Sequence, residues 1–437
     1  MGLNLTRIIG GLKPRFKTLL PMMFTYAASG GSLIISSAAQ LATFAILARW
    51  LGVDQFSLFV TITAIANIAV HLCGVGAMEC LVRRVARDRS MYPVMLGHNI
   101  LLTAASGVVL ILASIATLPF FFTLSPDPVI NVATIALMLI TNIILVRVIV
   151  LSEQIFIAHS DFSSANKVVV GFAIARTIAA ALACIGFGVG TVAAWAVWQF
   201  AAHVLFAIAC FFALKPLGRP VFRIVREELP QGVYFSIPFI LRAVRQNVDL
   251  LVLGLVASAE LLASYSVARR MMESSYLSVE ALNRLIYPGS AKVAEHGLHH
   301  ALQRIRKVLV AATGISILAA MTLFILAPLL PYIFGHDYVS LVSFTRILCW
   351  AVIPMSIWVV AMDALGAAGK QAQRALVMGA GSLIGAVLTG WAAWYAPPTA
   401  IFIATYVIEI AMVIAGWAVL MRVVRHDRAR ADIIARS

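Results

Sequence analysis

The chain has 437 residues, of which 62% are hydrophobic and 12% charged, and its mean hydropathy is +0.97. A soluble domain covers its surface with roughly 25% charged residues, so water is excluded as the main solvent and the fold class expected is an all-α, polytopic membrane protein. A net charge of +15 would otherwise suggest nucleic acid, but the basic residues fall between apolar runs in a way that points to lipid and excludes that partner.

Residues 1–23 read as a cytoplasmic basic amphipathic segment, because their apolar runs are too short and interrupted for a signal peptide. Runs long enough to span, about 20 residues each, then follow near 24–49, 56–81, 95–122, 129–151, 168–187 and 191–214. Together they make an N-terminal six-helix bundle over 24–214. KPLGRPVFRIVREELPQG (215–232) has the Pro, Gly and charge content of a cytoplasmic linker on the membrane surface. Further runs near 233–256, 260–287, 308–333, 341–365, 373–396 and 399–421 make a C-terminal six-helix bundle over 233–421, and 422–437 is a cytoplasmic basic tail. The expectation is about twelve transmembrane helices in two bundles with a cleft between them.

Lysine and arginine set the orientation. With the N-terminus inside, the cytoplasmic segments carry Arg7, Lys13, Arg15 and Lys17, then Arg83, Arg84, Arg87 and Arg89, then Lys167. The linker adds Lys215, Arg219, Arg223 and Arg226, and later segments add Lys292, Arg304, Arg306, Lys307, Lys370, Arg374 and the tail arginines. The outside connections hold Arg49 beside the acidic Asp54, Asp127, Glu260 and Asp337. Both termini are expected in the cytoplasm.

This leaves Arg147, Arg176, Arg242, Arg245, Arg269, Arg270, Arg284 and Arg346 inside the spans. Arg147 and Arg284 lie near cytoplasmic ends, where a long side chain reaches the headgroups. FILRAVRQNVDLLVLGL (239–255) is different, with Arg242, Arg245 and Asp249 in the middle of a span and on one helical face. The next span carries Ser266, Arg269, Glu273, Tyr276, Glu280 and Arg284 as a polar stripe. A buried charge costs at least ~2.5–3.5 kcal/mol, so these stripes need an aqueous cavity or internal partners. Two readings stand. Arg269 with Glu273, and Arg245 with Asp249, could be packing salt bridges. Alternatively, the excess of Arg242, Arg245, Arg269 and Arg270 over Asp249 and Glu273 answers an anionic cargo, and arginine's planar fork suits phosphate.

There is no GxxxxGK[ST], HGLHH (296–300) lacks zinc-site spacing, and Cys73, Cys80, Cys184, Cys210 and Cys349 lie in apolar runs without CxxC. No ATP site, metal or cofactor is expected, and with short outside loops a transporter is expected rather than an enzyme.

Four motifs carry a family resemblance. LARWLGVDQFSLF (47–59) resembles the first-loop signature of polysaccharide flippases, with Ser57 where that signature often has Gly. VDLLVLGLVASAELLASYSVARRM (248–271), LIYPGSAKVAEHG (285–297) and YIFGHDY (332–338) resemble later motifs of the same family in the same order. The chain thus resembles the Wzx-type lipid-linked oligosaccharide flippases, in the superfamily that also holds multidrug antiporters and the peptidoglycan lipid flippase. The resemblance implies two pseudo-symmetric bundles around a cationic cavity. It implies translocation of an undecaprenyl-diphosphate-linked oligosaccharide from the cytoplasmic to the periplasmic leaflet of the bacterial inner membrane, for O-antigen, capsule or exopolysaccharide assembly. Arg242, Arg245, Arg269 and Arg270 match the family's cavity arginines, with Arg147 and Arg176 as first-half counterparts. On this reading Na⁺ or H⁺ is the coupling ion, Asp249 and Glu273 are the first coupling carboxylates and Glu409 and Asp363 stand behind them. The partners implied are the lipid-linked oligosaccharide, membrane lipids, and a polysaccharide polymerase with other assembly proteins. The rival readings are a multidrug or cation antiporter of the superfamily, and a membrane-embedded polymerase or ligase.

Overall fold

A computed structural model describes the backbone of residues 5–294 and 298–434, with side chains over 31–280 and 302–428. Arg284, the 285–297 motif, the HGLHH cluster, Lys292 and the basic residues up to Lys17 and from Arg430 onward lie outside the described side chains.

The described chain is helical. The first helix, α1 (Leu5–Leu72), contains two of the expected spans. Its stretch from Gly31 to Leu72 would measure roughly 60 Å if straight, about twice a hydrocarbon core, so it has to turn back. It does so at Gly52 (φ 71°, ψ 172°), a conformation open to glycine because no Cβ obstructs it. The rings of Phe44 and Phe56 consequently meet edge-on with centroids 4.9 Å apart. A Gly74–Val75–Gly76 turn then separates α1 from α2 (Ala77–Arg87), interrupting the single span read over 56–81.

The remaining first-half helices are α3 (Tyr92–Thr117), α4 (Pro128–Leu139), α5 (Val146–Ala158), α6 (Phe162–Ala180) and α7 (Val192–Leu214). A π-helical turn at Ile140–Leu145 joins α4 and α5 into one rod, and a second, Ala181–Gly186, extends α6. The starts carry local caps. Asp127 accepts from Val129 N and Ile130 N ahead of Pro128 at the first helical position, Asp161 accepts from Ser164 N, and Thr191 from Ala194 N. Each such cap is worth about 1 kcal/mol.

The second half begins with the hairpin of α8 (Glu228–Val256) and α9 (Ala259–Ala294). The linker is thus shorter than the 215–232 read from composition, because Pro230 falls in the first turn of α8, where its missing N–H is no loss. Then come α10 (Leu298–Leu326), the short α11 (Leu330–Phe334), α12 (Leu341–Leu348) continuing into α13 (Val352–Ala367), α14 (Gln371–Tyr395) and α15 (Thr399–Ile434). Among the described residues, nine helices are long and apolar enough to cross a membrane. The folded-back α1 supplies a further crossing, and α8 and α9 fall short only through the polar and charged residues they carry, so the fold has the expected twelve.

The halves are packed together at the outer end. Arg49 donates to the Tyr332 carbonyl at 2.6 Å and Tyr338 OH to the Ala48 carbonyl at 2.7 Å. Glu260 caps the outer end of α12 by accepting from Ser340 N at 2.9 Å. One apolar cluster runs from Leu47, Ala48 and Phe56 to Leu253, Tyr265, Phe334 and Tyr338. At the inner end the contact between halves is narrower: α8 crosses α2 so closely that a Cβ on Gly76 would lie 1.9 Å from the Gly232 carbonyl oxygen. Glu228, 1% exposed, accepts there from Arg83 at 2.7 Å and Arg84 at 2.5 Å.

The topology is testable by thiol labelling, since the five native cysteines are free and buried. Cysteines at Thr123 or Asp337 should react with an impermeant maleimide added outside intact cells, and ones at Ser90 or Arg219 should react only after permeabilisation.

Candidate functional site

The arginines of α8 and α9 find their partners across helices rather than along them. Asp249, 4% exposed, receives Arg269 Nη1 on both carboxylate oxygens at 2.5 Å and Tyr265 OH at 2.6 Å. Leu250 N also donates to Asp249 Oδ1 at 2.9 Å. Arg269 spends its other donors on Glu273 Oε1 (3.2 Å) and the Gln246 carbonyl (2.5 Å). Arg269 is therefore engaged through all three of its nitrogens by its own protein. The spacing of Tyr265, Arg269 and Glu273, four residues apart each, marks this face of α9; the sequence reading started its stripe at Ser266 and passed over Tyr265.

Arg245 turns away from Asp249, four residues on, and reaches α15. Its Nη2 donates to Glu409 Oε1 at 2.5 Å, while Trp358 Nε1 on α13 donates to Glu409 Oε2 at 2.6 Å. The guanidinium passes over Gly385 of α14, where an added Cβ would lie 3.1 Å from Arg245 Nε. Of the two packing pairs that spacing allowed, Arg269–Glu273 is formed. The structure replaces Arg245–Asp249 with Arg245–Glu409.

The other cations keep donors to spare. Arg270, 36% exposed, donates Nη2 to Gln40 Oε1 of α1 at 3.0 Å and stands 3.7 Å from Glu273 Oε2. Arg176 of α6 lies over the Phe172 ring at 5.6 Å, has a buried Nε without a hydrogen-bond partner, and is close enough to Arg270 for their like charges to interact. Arg242 is exposed, enters no ion pair among the described residues, and reaches His71 electrostatically, as does Arg147. Arg147 is itself 4% exposed, and its Nε and Nη2 lack partners. At 1.5 Å per residue, Arg176 and Arg270 both lie roughly 15 Å below the outer helix ends, Arg242 roughly 21 Å and Arg147 roughly 28 Å. The structure thus places Arg176 and Arg270, from opposite halves, at similar depth and within electrostatic reach of each other, with Arg242, His71 and Arg147 farther along the helices. Asp363 stands 3.5 Å from Arg374 and, with Glu409 and Arg242, lies within electrostatic reach of Tyr276.

Gln40, His71 and Trp358 were not singled out from sequence. Each is one polar or aromatic residue in an apolar run, with no periodic neighbour to mark it.

The arrangement is suited to holding a polyanion. Two guanidiniums within electrostatic reach of each other repel unless an anion offsets their charge, and their donors match the oxygens of a phosphate.

Three comparisons bear on this geometry. Residues 27–288 match the model of a family described as polysaccharide biosynthesis protein. No curated protein matches. Among solved structures, an inward-facing multidrug resistance MATE transporter of the MOP superfamily is similar with a TM-score of 0.72 at 15% identity, over 89% of this chain and 95% of that one. The lipid II flippase MurJ in an inward closed conformation gives 0.71 at 12% identity, over 90% and 87%. An outward-facing MATE transporter gives 0.59 at 15% identity, over 90% and 96%.

Arg245→Ala should strand the Glu409 carboxylate and cost about 3–5 kcal/mol, seen as a lower thermal midpoint in detergent and lower membrane abundance. Adding Glu409→Gln, which removes the charge but keeps an acceptor for Trp358, should recover most of the loss. Adding Asp249→Ala should deepen it by freeing Arg269.

Proposed function

The chain belongs to the polysaccharide biosynthesis protein family, and on that premise we propose that it is a flippase for an undecaprenyl-diphosphate-linked oligosaccharide. The cargo moves from the cytoplasmic to the periplasmic leaflet of the bacterial inner membrane to supply surface polysaccharide assembly, where a polymerase would take it up. The observation that carries the proposal is the pair Arg176 and Arg270, from opposite halves and within electrostatic reach of each other, with Arg176 paired to no carboxylate among the described residues.

In the mechanism we infer, the outer end is closed while the diphosphate approaches from the cytoplasmic leaflet, and the polyprenyl tail stays in lipid. Arg242 meets the phosphates first, and Arg176 and Arg270 hold them at mid-depth. Gln40 fixes the Arg270 fork by accepting one of its N–H groups. Because the anion bridges both halves, it favours the arrangement that keeps them together around it, and rocking about that point opens the site outward. Release of the Arg49–Tyr332 and Tyr338–Ala48 bonds belongs to the same step.

Ion coupling, Na⁺ or H⁺, is part of the proposal, and the structure reorders its candidates. Asp249 and Glu409 each already hold a guanidinium and a neutral donor. Asp363 is met by Arg374 at 3.5 Å. Glu273, half-exposed between Arg269 and Arg270, is the carboxylate whose loss of charge would release Arg270 to the cargo. A carrier of cationic drugs would instead need carboxylates free of arginine in the chamber.

The test is complementation of surface-polysaccharide export in a strain lacking its own flippase, with membrane protein levels measured in parallel. Arg176→Ala or Arg270→Ala should lower export roughly 10- to 150-fold, the equivalent of about 1.5–3 kcal/mol for a charge-assisted bond. Arg270→Lys should recover only part, since it keeps the charge and loses the fork. Full export by the Arg176→Ala, Arg270→Ala double variant at normal abundance would refute the diphosphate role. Drug resistance conferred without any export would favour the antiporter.

A further inference from the structure

The linker between the halves is extended rather than helical. Pro216, Gly218 and Pro220 interrupt it in quick succession, and a residue before proline is steered toward extended backbone. Gly218 takes φ 123° and ψ 171°, and residues 218–225 then run without helix to the turn that precedes α8. This strap is tied to α3. Val221 N donates to the Pro93 carbonyl at 2.8 Å, and Val225 N to His98 Nδ1 at 3.2 Å. Gly97, between those anchors, lets the two backbones touch: an added Cβ would lie 2.0 Å from the Val221 carbonyl oxygen. Leu217 and Val225 pack against the cluster that holds Tyr92 and Leu96.

The anchors set the depth of the strap. His98 is six residues from the start of α3 at Tyr92, roughly 9 Å along the axis. An interfacial segment sinks its apolar face ~5–10 Å into the boundary between headgroups and acyl chains, so the strap reaches that boundary. Its uncovered side chains suit the place. Val221, Phe222 and Ile224 are exposed, Phe222 at 64%, and the apolar surface continues onto Val233, Tyr234 and Ile237 of α8. Lys215, Arg219, Arg223 and Arg226 are exposed as well, and none has an ion pair or side-chain hydrogen bond among the described residues. Within 215–227 the one carboxylate is Glu227. Glu228, next along, is already taken by Arg83 and Arg84.

Exposed apolar groups interleaved with unanswered cations match a lipid surface of opposite charge. A zwitterionic headgroup brings its own cation with its phosphate. A net-negative headgroup leaves charge for a basic segment to meet, and arginine's fork takes two phosphate oxygens at once. We propose that the strap is a binding surface for anionic phospholipid. Its arginines hold the phosphates of net-negative headgroups, while Val221, Phe222 and Ile224 lie among the upper acyl carbons. This goes beyond the flippase reading and stands without it; on the orientation inferred above, the lipid belongs to the cytoplasmic leaflet. The strap runs on into α8 at Glu228, so the bound lipid lies beside the ionic contact that joins the two halves.

The experiment uses the full chain in lipid nanodiscs, with Phe222→Cys carrying a bimane fluorophore; the five native cysteines are buried. The bilayer is phosphatidylcholine with a small, fixed fraction of either phosphatidylglycerol or phosphatidylcholine bearing a nitroxide on its upper acyl chain. Quenching by the phosphatidylglycerol probe should report a roughly five- to tenfold larger association constant, and added salt should shrink the difference by screening. Changing Arg219, Arg223 and Arg226 together to Gln should abolish the preference. Changing Arg304, Arg306 and Lys307 to Gln removes the same charge from exposed positions of α10 and should leave it intact. If the strap variant does not fold, Arg223→Gln alone should lower the preference roughly twofold. Equal quenching by both probes overturns the proposal, as does a preference that survives the strap variant or is lost equally in the α10 variant. Quenching by neither probe places the strap away from lipid, free for soluble phosphate or a protein, and overturns it too. None of these outcomes bears on export by the Arg176 and Arg270 variants, so the two readings fail separately.

Discussion

A guanidinium inside a membrane must be answered by an anion or reach water, and the second half of this protein is arranged around how each arginine solves that problem. Asp249 is closed off by Arg269 and Tyr265, and Glu409 by Arg245 and Trp358. These two centres pin α8 to α9 and α8 to α13 and α15. Removing a single partner from such a pair exposes a bare charge to a low dielectric, which is why the pairs fix the packing of the helices that carry them. What is left over is the set of cations with donors to spare.

That remainder is distributed by depth and by half. Arg176 from the first half meets Arg270 from the second at mid-depth, and Arg242, His71 and Arg147 lie below. Charge repulsion between Arg176 and Arg270 disfavours a dry, closed chamber. On the proposed function a bound polyanion reverses the sign of that interaction, which would link occupancy to closure through one pair of side chains. The outer end is held by hydrogen bonds to backbone carbonyls and by apolar contacts, which break with little desolvation cost. The inner contact rests instead on a nearly buried carboxylate with two arginines. The two ends therefore differ in kind, and the more easily parted one is the end of Arg49 and Tyr338.

Much of the fold is legible in the sequence because lipid imposes it. Runs of about 20 apolar residues can only be helices there, and the alternation of arginine-rich and arginine-poor connections orients them. The boundaries that the reading missed have local causes. The span read over 56–81 breaks at Gly74–Val75–Gly76, where positive φ ends the helix, and the linker shortens because a proline in the first turn of α8 is harmless. The residues of the candidate site were legible as charges out of place, but their pairing was not. Helical spacing offered Asp249 as a partner for Arg245, and the side chain went instead to a carboxylate 164 positions away.

The sequence by itself determined the solvent, the class, the helix count and the presence of more deep arginines than deep carboxylates beside them. It could do so because hydropathy and net charge are properties of composition along a chain and need no partner. Only the tertiary structure decided which arginines are spent and which are free. An arginine side chain is long enough to choose among several anions. The choice is settled by which helices lie within its reach and by small openings such as the one Gly385 leaves beside Arg245.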